Sequence, residues 1–207
     1  MSSDTASVLA SDNGCGLLYL ASASPRRREL LSQIGVPVCV IPSEIDETAL
    51  PGELPLTYVE RVTHDKVRAG VAKAPDGAVV LAADTAVVLG NSILGKPADR
   101  AQGLAMLDDL SGRAHSVITS VAVCRGDDLR LASVETQVWF RQLSEAEKSA
   151  YWDTGEPADK AGGYAIQGLG AIFIERIEGS YSAVVGLPLM ETAALLQAFG
   201  IACWQAR

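Results

Sequence analysis

The chain has 207 residues, 48% of them apolar, and a net charge of −8. Length and apolar content fit one domain, or two lobes sharing a core, and exclude a disordered chain. Seventeen basic against 25 acidic residues disfavour non-specific binding to nucleic acid, which depends on neutralising many phosphates, and no apolar run is long enough to cross a bilayer.

In chain order, residues 1–16 read as a flexible tail without the basic and apolar regions of a signal peptide. The apolar run Leu17–Ala21 predicts a buried strand, followed by a turn into a helix at Ser22-Ala23-Ser24-Pro25-Arg26-Arg27-Arg28. Ser24 is a natural N-cap and Pro25 suits the first helical position. This places a helix N-terminus, hydroxyls and three guanidinium groups at the end of a buried strand, a local arrangement suited to phosphate.

A second strand is expected over Val36–Ile41, an acidic turn-rich stretch over Pro42–Pro55, and a long helix over Leu56–Lys73. Ala78–Ala83 reads as a continuous apolar strand ending at Asp84-Thr85. Ala86–Leu89 and Ser92–Leu94 flank a hairpin turn at Gly90-Asn91. A helix follows from Asp99, its cap, to Leu110, with Ser111-Gly112 as the stop. His115–Cys124 and Leu131–Phe140 read as strands, and Ser144–Thr154 as a helix with a capping box from Ser144 and Glu147. Asp159–Gly170 is a glycine-rich loop, Ala171–Ile177 a strand and Leu187–Phe199 a closing helix. Helices interleaved with strands and hairpins predict an α/β domain with a mixed sheet. The four cysteines, Cys15, Cys39, Cys124 and Cys203, form no CxxC; the expectation is reduced thiols in a cytoplasmic protein.

Several polar residues are candidates for chemistry. Asp84, at the predicted carboxyl end of a buried strand, either caps a turn or serves as a metal ligand or general base. Asp46-Glu47 are a solvated loop or a carboxylate pair for Mg²⁺. Lys66 and Lys96 taken alone read as surface charges. In the loop Asp159-Lys160-Ala161-Gly162-Gly163-Tyr164-Ala165-Ile166-Gln167-Gly168, the glycines allow close approach of the backbone to a ligand, and Gln167 offers both a donor and an acceptor to a nucleobase edge. His64 and His115 have no metal-ligand spacing and do not look catalytic.

The motifs Ser22-Ala23-Ser24-Pro25-Arg26-Arg27, Ala83-Asp84-Thr85, Gly95-Lys96-Pro97, the Asp159–Gly168 loop and Gly179–Leu189 occur in this order, and together they resemble the Maf family of nucleoside triphosphate pyrophosphatases. The likeness runs from about Leu17 to Gly200 and implies a single domain over 17–207, with two lobes around a cleft. It implies an elongated α/β fold similar to inosine triphosphate pyrophosphatase, in which a mixed sheet is flanked by helices. The implied reaction is hydrolysis of a nucleoside triphosphate between the α- and β-phosphates, with a divalent cation, Mg²⁺ or Mn²⁺.

By the same resemblance Asp84 is the proton acceptor, and Arg26, Thr85 and Gln167 choose the substrate. Ser24, Arg27, Glu47, Lys66 and Lys96 match the family's polar cleft residues. On charge grounds Arg26, Arg27, Lys66 and Lys96, with Ser24, suit the phosphates, Glu47 or the Asp46-Glu47 pair suits the metal, and Asp84 is either the general base or a metal ligand. With Gln167 in its Tyr-x-Ile-Gln-Gly motif the chain resembles the dTTP/UTP branch, and the chemistry agrees, since an amide both accepts from and donates to the O4/N3–H edge of uracil or thymine. A carboxylate there only accepts, which suits guanine and the related branch acting on methylated guanine nucleotides. The rivals are a pyrophosphatase of that second kind and a non-catalytic nucleotide sensor of cell division. The expected partner is the nucleotide, with no nucleic acid or membrane, and the resemblance suggests a homodimer.

Overall fold

A computed structural model describes residues 18–204; the expected N-terminal tail lies outside the described residues. Seven strands form one mixed sheet in the order β2-β1-β3-β5-β6-β7, with β4 paired to β3. The strands are β1 (Leu18–Leu20), β2 (Val38–Val40), β3 (Val79–Leu89), β4 (Ser92–Leu94), β5 (Ala114–Arg125), β6 (Asp128–Phe140) and β7 (Ile174–Glu178). β1 pairs in parallel with both β2 and β3, and every other pairing is antiparallel. The helices are α1 (Pro25–Gln33), α2 (Pro55–Lys73), α3 (Arg100–Leu110), α4 (Glu145–Asp153), α5 (Tyr181–Val185) and α6 (Leu189–Ala198). The expected mixed sheet flanked by helices is the observed architecture.

Side chains alternate between the two faces of a strand, and β3, buried along nearly its whole length, sorts the helices accordingly. Its residues Val80, Ala82, Ala86 and Val88 pack on the side of α2, with Val59 and Val67. Leu81 and Ala83 face Leu30 and Leu31 of α1 and Leu196 of α6. Further along this second face, Val87 joins Leu107 and Leu110 of α3, Tyr151 of α4, and the rings of Phe140, Tyr164 and Phe173. Gly70 lets α2 lie close to the sheet: a Cβ there would stand 2.7 Å from Ala21 Cβ and 2.8 Å from Val80 Cγ1.

Three expectations need correction. Asp84 does not end a strand, because β3 runs unbroken through it to Leu89. The reason is β5, which pairs with β3 from Val80 to Val88 and keeps the chain extended. What does end nearby is the parallel neighbour: β1 pairs only as far as Leu20 opposite Leu81, and β4 takes up the same edge from Val87. Residues 82–86 therefore have no strand partner on that edge. The strand expected from Ala171 starts at Ile174, since Leu169–Phe173 wind into a 3₁₀ turn. Finally, Cys39 is disulfide-bonded, while Cys124 and Cys203 are free thiols. The expectation of four reduced thiols rested on compartment and sequence spacing, neither of which limits pairing in space.

The hairpin at Gly90 (φ 62°), the Asp99 cap accepting from the Gln102 amide at 2.9 Å and the Ser144/Glu147 capping box all form as expected.

Candidate active site

The break in pairing along β3 opens a cleft of about 760 Å³. Its walls include Ser24, Arg26 and Arg27 from the start of α1, Glu47 from the loop before α2, and Lys66 from α2. Asp84 and Thr85 come from β3, Lys96 from the turn after β4, and Gln167 from the glycine-rich loop. These nine residues therefore meet in one place, whereas Asp46, the other member of the candidate carboxylate pair, does not line the cleft and accepts from the Thr48 amide at 2.9 Å. Asp84 and Thr85, being adjacent in a strand, lie on opposite faces of the sheet. The cleft reaches both because it crosses the sheet where β1 has ended.

On the α2 face, the Lys66 ammonium sits between two carboxylates, 2.7 Å from Asp84 Oδ1 and 2.8 Å from Glu47 Oε2. Lys66 and Asp84 are buried, whereas Glu47 is about half exposed. Tyr58, about two helical turns before Lys66 on the same helix, donates its hydroxyl to the Glu47 carbonyl at 3.0 Å. Burial, with Asp84 and Glu47 nearby, pushes its phenol up to about 12, so it remains a neutral donor.

On the opposite face, Arg27 is buried without a carboxylate bonded to it. Its Nε donates to the Gly186 carbonyl (2.9 Å), Nη1 to Ser22 Oγ (3.1 Å) and Nη2 to Thr85 Oγ1 (3.3 Å). Burial lowers its pKa from the usual arginine range, and the Asp84 charge partly opposes that. Thr119 on β5 stands behind this cluster, 3.1 Å from Thr85 Oγ1, and donates to the Ala183 carbonyl at 2.7 Å. These bonds tie together the first, second and last of the sequence motifs.

Ser24 occupies the N-cap position, but its side chain makes no capping bond. The first turn of α1, with Pro25 at its start, thus keeps uncapped N–H groups at the cleft. An uncapped helix start beside guanidinium groups is suited to an anion.

Arg26 and Lys96 form no ion pair with a described residue, and Gln167 is exposed without a bond to its amide. Lys160, which the sequence reading quoted but did not assign, also lines the cleft, paired with Asp159. Tyr58 and Thr119 were missed because they sit inside apolar patterns. The available signal was a hydroxyl in the buried run Val117-Ile118-Thr119-Ser120-Val121, since a buried hydroxyl requires a partner. His115 is buried away from the carboxylates, its Nε2 2.7 Å from Tyr164 Oη.

Five cations and three carboxylates line the cleft, a local surplus of two positive charges in a chain of net charge −8. Such a site can receive a polyanion, activate water with a carboxylate, and read a ring edge with an amide. Among the described residues no group of three or more His, Cys, Asp or Glu is arranged to hold a metal, and no helix is long and apolar enough to cross a membrane.

Proteins named dTTP/UTP pyrophosphatase from Saccharophagus degradans and Hahella chejuensis are 52% identical over 191 residues and 50% identical over 189. They cover 91% and 90% of this chain and 91% and 94% of their own. A solved nucleoside-triphosphatase / dITP/XTP pyrophosphatase from Mycobacterium abscessus aligns over 88% of this chain and 93% of its own, at 14% identity and a TM-score of 0.46, a likeness too low to add weight. Residues 17–199 match the family model described as Maf-like protein. With its motifs gathered on the walls of one cleft, the chain belongs to the Maf family.

Proposed function

We propose that this chain hydrolyses dTTP and UTP to the nucleoside monophosphate and pyrophosphate, the activity named for relatives about half identical over 91% and 94% of their length. The observation that carries the reading is the convergence of Arg26, Arg27, Lys66, Asp84, Lys96 and Gln167 on a single cleft. Arg26, Lys96 and the start of α1 hold the triphosphate, because they are the donors not already committed to protein acceptors. Asp84 accepts the proton of the attacking water while Lys66 holds its carboxylate in place. Water bonds to the α-phosphorus, the bond to the bridging oxygen breaks, and pyrophosphate leaves.

A triphosphate carries about four negative charges, two more than the surplus of the cleft offers, and a divalent cation would supply the difference. Mg²⁺ is commonly held by one or two carboxylates plus substrate phosphates. Glu47 and Asp84, either side of Lys66, fit that pattern for a cation arriving with the nucleotide. When bound, it would neutralise charge on the leaving group.

Gln167 selects uracil or thymine by donating to O4 and accepting from N3–H. The test is a panel of triphosphates with Mg²⁺ or Mn²⁺ and identification of the products. Pyrophosphate from dTTP and UTP is the expected result; release of orthophosphate would reject the reaction type, and indifference to the base would reject the substrate assignment.

A further inference from the structure

Among the described residues the Gln167 side chain has no hydrogen-bond partner, so its placement depends on how the loop around it is held. One carboxylate does most of that work. Glu156, half-buried in the 3₁₀ turn Glu156–Asp159, accepts at Oε2 from the Leu169 amide (2.9 Å), and at Oε1 from the Gly170 amide (3.0 Å) and the Tyr151 hydroxyl (2.7 Å). The Tyr151 hydroxyl in turn accepts from the Ala165 amide at 3.2 Å. The Glu156–Tyr151 pair thus grips the chain two residues before Gln167 and again two and three residues after it.

Packing at the next residue agrees. A Cβ on Gly168 would stand 2.4 Å from Glu156 Oε2, so the loop lies directly against the carboxylate. Burial pushes the Glu156 pKa up, but the amides of Leu169 and Gly170 and the Tyr151 hydroxyl outweigh it, and the group lies below the usual glutamate range. It is an ionised acceptor for three donors, and charge-assisted bonds of this kind are about twice as strong as neutral ones. Neither Glu156 nor Tyr151 is among the cleft-lining residues.

We infer that Glu156, with Tyr151, is a positioning residue for nucleobase choice: it fixes the loop so that the Gln167 amide meets the pyrimidine edge. This rests on the dTTP/UTP reading above. A glutamine at 156 keeps the size but turns an NH₂ toward donors that need an acceptor, so the loop shifts. A displacement of about 1 Å can cost up to ~100-fold in an oriented reaction.

The measurement is the ratio of kcat/KM for dTTP to that for GTP, in wild type, Glu156→Gln, Gln167→Ala and the double variant, with Tm recorded for each. Glu156→Gln is expected to reduce the ratio by ~10-fold or more, chiefly through KM for dTTP, with kcat falling less than ~3-fold. In the Gln167→Ala background the same substitution is expected to change the ratio by less than ~2-fold, because the two residues act through one contact. A general loosening of the fold would instead add its effect in both backgrounds. Tyr151→Phe, which keeps the ring and removes one donor, is expected to move the ratio the same way by a few-fold; it serves if Glu156→Gln does not fold. A retained preference in Glu156→Gln or Tyr151→Phe, or full additivity with Gln167→Ala, would overturn the inference alone. A wild type without pyrimidine preference would overturn the underlying reading as well.

Discussion

The two walls of the cleft are built on different principles. The wall carried by α2, the loop before it and β3 is already internally paired: the Lys66 ammonium bridges the Glu47 and Asp84 carboxylates, and β3 and α2 are core elements. The wall carried by the α1 start, the β4–α3 turn and the glycine-rich loop is so only in part, at Arg27 and Lys160. Arg26 and Lys96 have no ion-pair partner among the described residues, and Gln167 is exposed. A group that must act on water at a fixed point gains from a rigid mount and a locked rotamer. Groups that must meet a charged ligand gain from being uncommitted until it arrives. The difference between the walls is thus a difference between chemistry and capture.

That contrast is open to direct attack. The largest expected effect is at Asp84: Asp84→Asn is expected to lower kcat by about 10²–10⁴-fold, the range for loss of a positioned general base, with KM for dTTP little changed. Steady-state kinetics check it, and a variant that raised KM while sparing kcat would move Asp84 to the capture wall.

Next is a pH effect behind the loop wall. Burial lowers His115 from an ordinary 6.5 to about 4, among Phe140 and Tyr164. Between those values the unfolded chain binds the extra proton and the folded one does not. This contribution is therefore complete above pH ~6.5 and is lost as the pH falls toward ~4, by about 3 kcal/mol at most. Thermal melts between pH 7 and 4 are expected to show it, with a flatter slope in His115→Asn. Because His115 backs Tyr164, amide protection factors over 161–170 are expected to fall on acidification before those of α2.

Lys96→Met is expected to raise KM about tenfold or somewhat more, as loss of a charge-assisted phosphate contact costs about 1.5–3 kcal/mol. The effect should shrink at high salt, since the side chain is exposed. A fall in kcat with KM intact would blur the two walls. The smallest effect belongs to Thr119→Val, which leaves the Ala183 carbonyl short of a donor and costs about 1 kcal/mol. Differential scanning calorimetry is expected to show a Tm a few degrees lower, with Thr119→Ser restoring it.

Much of this was legible in the chain itself. The α4 capping box, the Asp99 cap and the Gly90 hairpin are local arrangements, settled by residues within a few positions of one another, and they form as read. The misreadings share a different origin. Asp84 looked like a strand end because the local pattern changes from apolar to polar there. Only β5, some 40 residues on, shows that the strand continues. Ser24 looked like a helix cap, yet its side chain makes no such bond. The partners of Arg27 come from Ser22, Thr85 and Gly186, too scattered for any spacing rule to connect. Glu156 gave no signal beyond an acidic residue near a loop, because its meaning lies in backbone amides that every sequence possesses.

The length of β1 has a consequence of its own. It stops after three residues, and the hairpin strand resumes contact with β3 only at Val87, so the mouth of the site is a stretch of ladder left unzipped. Extending β1 by two residues, at the expense of the turn through Ser22, would let the sheet seam close over that opening. A binding pocket would be erased without altering any of the side chains that define it.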